Sequence, residues 1–122
     1  VVNSAGAAVN GISVGYLNIP QVSLASNTSI TTGDAGKHYY STSASNLTLT
    51  VANNTSQAFS IGSAISVVNQ GTGTITIALG SGVTMYMAGN STSSARSLSS
   101  YGMATIMKVA TDTWFINGTG VS

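Results

Sequence analysis

Gly71-Thr72-Gly73-Thr74-Ile75-Thr76-Ile77-Ala78-Leu79, the turn Gly80-Ser81-Gly82, and Val83-Thr84-Met85-Tyr86-Met87 form the stretch that decides the fold. Ile75, Ile77 and Leu79 alternate with Thr74, Thr76 and Ala78, and Val83, Met85 and Met87 resume the rhythm after the turn. A period of two is what a strand with one buried face requires, because successive side chains leave the pleat on opposite sides. The stretch predicts a hairpin whose buried face is Ile75, Ile77, Leu79, Val83, Met85 and Met87. Its other face, Thr74, Thr76, Thr84 and Tyr86, carries no charge to repel a neighbour, which suits a contact between subunits or a dry coat surface.

Composition extends this reading to the whole chain. The 122 residues hold 20 Ser, 16 Thr, 10 Asn and 14 Gly, and charged residues make up 4% of the total. Ser, Thr and Asn compete for backbone hydrogen bonds, and Gly is costly inside a helix, so the composition disfavours helices. The expected class is all-β: an antiparallel β-sandwich or β-barrel of about eight to ten short strands with Gly/Asn/Ser-rich turns. Residues 1–11 read as a linker or an N-terminal segment that pairs with a neighbouring chain, and residues 12–122 as a single β-domain. The chain starts at Val1 without a signal-peptide pattern and reads as part of something longer.

Strand patterns recur in order. Ile12, Val14 and Tyr16 alternate, and Pro20 closes that run, where its missing N–H does least harm. Leu24 and Ile30 anchor a polar stretch with a short strand at 29–31, and Gly33-Asp34-Ala35-Gly36 is a turn that the Asp side chain can cap. Lys37 to Tyr40 is extended; Leu47, Leu49 and Val51 form the next strand; Phe59 and Ile61 bracket an edge segment; Ile65 and Val67 point inward from Ala64–Asn69. A short strand over Ala95–Leu98, an alternating Met103–Ala110, a turn at Thr111-Asp112 and a last strand through Trp114, Phe115 and Ile116 complete the pattern. No motif repeats at a fixed period, which argues against a solenoid or propeller blade.

The same residues exclude several chemistries. A net charge of +1, from Lys37, Arg96 and Lys108 against Asp34 and Asp112, is too weak for nucleic acid, and no apolar run is long enough to span a membrane. His38 is the only histidine; no Gly-x-Ser-x-Gly elbow surrounds any serine, and glycoside hydrolysis needs a carboxylate pair that two isolated Asp turns do not supply. Neither a metal site nor a cofactor site is expected, and catalytic residues are expected to be none. Asn27, Asn46, Asn53, Asn54, Asn90 and Asn117 sit in Asn-x-Ser/Thr sequons, which carry little information in so Ser/Thr-rich a chain. The candidate contacts for a glycan or receptor are Tyr39, Tyr40, Arg96 and Tyr101, while Trp114 is assigned to packing.

Isolated β-domains guard their edges with charge or proline, and almost nothing here does so, which favours closed edges or a symmetric assembly. Several segments also resemble, in order, a known domain type: Gly15-Tyr16-Leu17-Asn18-Ile19-Pro20-Gln21, Asp34-Ala35-Gly36-Lys37-His38, and Phe59 to Ile65 with Val68-Asn69-Gln70. Met87-Ala88-Gly89, Ala95-Arg96-Ser97-Leu98, Tyr101-Gly102-Met103-Ala104-Thr105 and Asp112-Thr113-Trp114-Phe115-Ile116-Asn117-Gly118-Thr119-Gly120 continue it. The ordered set, over residues 15–121, resembles the C-terminal β-domain of tailed-phage and prophage virion structural proteins of the tail-fibre or surface-fibre type. It departs from that pattern at Ala95-Arg96, where the family more often has Gly-Asn-Arg. The resemblance implies a non-enzymatic virion module at the tail or capsid surface, with no catalytic residues to carry over. Its expected partners are copies of itself, with a homotrimer favoured, other virion proteins, and a host surface glycan. The alternative expectation is a carbohydrate-binding receptor module of a phage fibre or bacterial adhesin.

Overall fold

A computed structural model describes residues 18–122, so the segment 1–11 and the Ile12/Val14/Tyr16 strand lie outside the described residues. Nine strands form one curled, mixed sheet, and there is no α-helix among the described residues. They are β1 (Gln21–Ser23), β2 (Thr28–Ser29), β3 (His38–Ser41), β4 (Leu47–Val51) and β5 (Ala64–Asn69). The chain continues with β6 (Ile75–Leu79), β7 (Thr84–Met87), β8 (Arg96–Ala110) and β9 (Thr113–Val121), and Thr32–Asp34 makes one 3₁₀ turn. All-β with about eight to ten short strands is thus the class observed.

The pairing differs from a purely antiparallel plan. Five of the eight strand pairings are parallel: β1–β3, β3–β5, β2–β4, β4–β6 and β7–β9. The chain crosses from one wing to the other and back, laying β1, β3 and β5 side by side in the first wing and β2, β4 and β6 in the second. Parallel neighbours cannot be joined by a tight turn, and here each crossover uses a strand of the opposite wing as its connection. The lack of a sequence repeat spoke against a solenoid, yet the two parallel ladders stack turn upon turn. Alternation alone maintains them, since each turn needs only apolar residues facing in.

β8 joins the wings. Its first part, Arg96–Leu98, pairs antiparallel with β6, and Met103–Met107 pairs antiparallel with β5. Sequence patterning predicts two separate strands here; the chain makes one of 15 residues, bent where Tyr101 takes φ 62°. β9 runs back along β8, and β7 lies on the far side of β9. The hairpin expected across Gly80-Ser81-Gly82 is therefore not formed: β6 lies between β4 and β8, while β7 pairs with β9. The predicted edge segment at Phe59–Ile61 is not a strand; Phe59 turns into the core and Ile61 out to solvent.

The core fills the space between the wings with Tyr39, Ile65 and Val67 of the first ladder, Leu49, Val51, Ile75 and Ile77 of the second, and Leu98, Ile106, Trp114 and Ile116 of β8 and β9. Met85 is fully buried with them, whereas Leu79 and Met87 are only partly covered. Phe59 meets Trp114 edge to face at 5.2 Å, a favoured aromatic geometry. Where successive turns stack, backbone meets backbone: a Cβ at Gly71 would sit 2.0 Å from the Ser43 carbonyl oxygen, and one at Gly73 2.1 Å from that of Ser45. Only glycine fits such an approach.

Candidate functional site

β8 and β9 present two unlike faces. Ala104, Ile106 and Lys108 of β8 and Trp114 and Ile116 of β9 point inward, so Met103, Met107 and Val109, together with Phe115, point outward. In the ladder Met107 lies opposite Phe115 and Ala64, and Met103 lies opposite Val68. Tyr86 of β7 continues the row and packs on Phe115 with ring centroids 5.5 Å apart. A shallow depression of about 280 Å³ lined by Ile19, His38, Ser66, Val68 and Met103 extends it across β5 to β3. No Asp, Glu, Lys or Arg occupies these outward ladder positions; the hydroxyls of Thr105 and Ser66, 2.9 Å apart, and Asn117 interrupt the apolar row, so the face is uncharged and largely apolar.

The four candidate glycan or receptor contacts do not come together. Tyr39 is 1% exposed; its hydroxyl donates to Asp34 Oδ2 at 2.5 Å, and that carboxylate also accepts the Thr31 N–H at 2.9 Å. Burial, then the hydrogen bond and the negative charge of Asp34, raise the Tyr39 hydroxyl well above its ordinary value of 10.0. Arg96 is 7% exposed: Nη2 donates to the Thr92 carbonyl at 2.6 Å and Nε is buried without a partner. Neither residue is available to a surface ligand.

Tyr40 and Tyr101 keep contact with solvent at one rim. The Tyr40 hydroxyl donates to Gln70 Oε1, and Ser100, beside Tyr101, donates from Oγ to the Gly71 carbonyl at 2.5 Å. Tyr101 is 77% exposed, the largest exposure among the bulky apolar side chains described. Next to Tyr40 a hollow of about 310 Å³ is lined by Ser23, Leu24, Ala25, Thr42 and Ser43. Aromatic faces beside neutral hydroxyl and amide groups suit a sugar, which offers C–H faces and many hydroxyls.

Acid–base machinery does not assemble among the described residues. The ring of His38 meets Gln21 Nε2 at 3.1 Å, Asp34 is engaged by Thr31 and Tyr39, and Asp112 accepts the N–H of Asn54 at 2.6 Å. No group of three or more His, Cys, Asp or Glu side chains gathers there to hold a metal ion. No helix among the described residues is long and apolar enough to cross a membrane.

Two buried polar residues escaped the sequence reading. Asn69, 1% exposed, offers Nδ2 to the carbonyls of Gly73, Leu98 and Ser99 and accepts the Gly71 N–H, tying the β5–β6 turn to the bend in β8. Lys108 is 3% exposed, and its place in the Ala104-x-Ile106-x-Lys108 alternation was the available signal. No family model, curated protein or solved structure matches the chain.

Proposed function

We propose that this chain is a non-enzymatic structural module of a bacteriophage virion protein, borne on a tail fibre, tail tip or capsid surface and acting in assembly or host attachment. The observation that carries the proposal is the uncharged outer face that exposes Met103, Met107 and Phe115, with half-buried Tyr86 packed beside Phe115, on a fold with almost no guarding charge. Contact between copies would cover that face, and a trimer is the arrangement favoured, in keeping with the fibre-type resemblance of the sequence. Other virion proteins are the further partners of this reading; nucleic acid and membrane insertion have no part in it. Light scattering on the purified chain is expected to give a trimer mass, and Met103→Lys with Met107→Lys a monomer that keeps its β-sheet circular dichroism. A wild-type monomer at micromolar concentration would remove the assembly reading.

A second reading, a carbohydrate-binding module that recognises a host receptor, is favoured by Tyr101 alone: a bulky, exposed aromatic held at φ 62° beside the Tyr40–Gln70 rim. Strained backbone at an exposed aromatic is a feature of binding surfaces. Tyr101→Ala and Tyr40→Ala are expected to abolish retention on host polysaccharide while leaving the oligomer intact; unchanged retention would exclude this reading.

A further inference from the structure

Lys108 presents an electrostatic problem that its neighbours do not solve. Its Nζ donates to Asn54 Oδ1 at 2.6 Å and to the Phe59 carbonyl at 2.8 Å, both neutral acceptors. Asp34 is occupied by Thr31 and Tyr39, and the Oδ1 of Asp112 by the Asn54 N–H at 2.6 Å. A buried ammonium without an ion pair is costly to hold. Converting its nitrogen to an amide would end that cost.

The atoms needed for the conversion are already together. The Asn54 carboxamide touches the Lys108 amine, so nucleophile and electrophile are already in contact, and the backbone N–H of Asn54 is held by the Asp112 carboxylate. Phe59 supplies its carbonyl to Lys108 and stacks edge to face with Trp114, the register partner of Lys108, which gives the amine a low-dielectric wall. Asp112 is fixed at the β8–β9 turn with φ 57°. Asn54 Nδ2 donates to no protein group among the described residues, so nothing there retains it as a leaving group.

We propose that Lys108 and Asn54 become joined by a spontaneous isopeptide bond. The free amine of Lys108 attacks Cγ of Asn54; the Nζ–Cγ bond forms and the Cγ–Nδ2 bond breaks. Nδ2 takes up the protons shed by Nζ and departs as ammonia. Overall, an ammonium and a carboxamide give a secondary amide and an ammonium ion, with no oxidant, nucleotide or metal. Holding nucleophile and electrophile in contact supplies the rate enhancement that free Lys and Asn lack. The bond would close the chain between residues 54 and 108, a staple for a protein with no cysteine. It stands apart from the proposed virion role and does not depend on it.

Intact-mass spectrometry of the full chain tests the bond directly. The folded protein is expected about 17 Da below its sequence mass, one ammonia, with a branched peptide joining Asn54 to Lys108 after digestion. Lys108→Arg and Asn54→Ala are each expected at full mass, and whichever folds should melt roughly 10 °C or more below the wild type. A folded wild type at full mass overturns the proposal. So does an ammonia loss that maps to Asn117-Gly118, the sign of succinimide formation there.

Discussion

Asn69 uses both ends of its carboxamide, with three carbonyls sharing Nδ2 and the Gly71 N–H on Oδ1, at a point where the chain leaves β5 and β8 bends past it. Asn69→Ala would leave these backbone groups unpaired inside the protein and is expected to cost about 2–4 kcal/mol in urea unfolding. Gly73→Ala should cost about as much by another route, since a methyl group has no room beside the Ser45 carbonyl. Tyr39 sets a pH limit. Its folded-state hydroxyl is raised above the ordinary value of 10.0, so the unfolded chain ionises first as pH rises. The stability it contributes is fully present below about pH 10 and is lost above it. Tyr39→Phe is expected to flatten that alkaline fall in denaturant midpoints measured from pH 9 upward.

At the scale of elements, alternation was legible wherever one face is buried: Leu47/Leu49/Val51, Ile65/Val67 and Ile75/Ile77 all point where the pattern placed them. Pairing was not legible, because alternation is identical in parallel and antiparallel ladders and partners are chosen by distant chain. The Gly80-Ser81-Gly82 turn illustrates the point, for it separates β6 from β7 instead of pairing them. Of the candidate contacts, Tyr39 and Arg96 proved internal, since an aromatic or a long cation reads the same from either side of a strand. The continuity of β8 was hidden by Tyr101, whose positive φ is a conformation usually left to glycine. Tyr101→Gly is accordingly expected to raise stability by about 1 kcal/mol in thermal unfolding, although it removes a large side chain.

For the whole molecule, the crossovers that build the two parallel ladders bring residues together only after long stretches of chain are ordered. Refolding is expected to be slow for the size, in roughly the millisecond-to-second range by stopped-flow fluorescence of Trp114. The pairing also gives the sheet two different ends. β8 lies across both β5 and β6 and satisfies their outward backbone groups with antiparallel bonds, whereas β1 and β2 are the outer strands of the described sheet at the other end. In the language of polymers, β8 is a terminator. Among the described strands, addition along the ladder axis is blocked where β8 crosses β5 and β6 and left open beside β1 and β2, so stacking along that axis has a single direction.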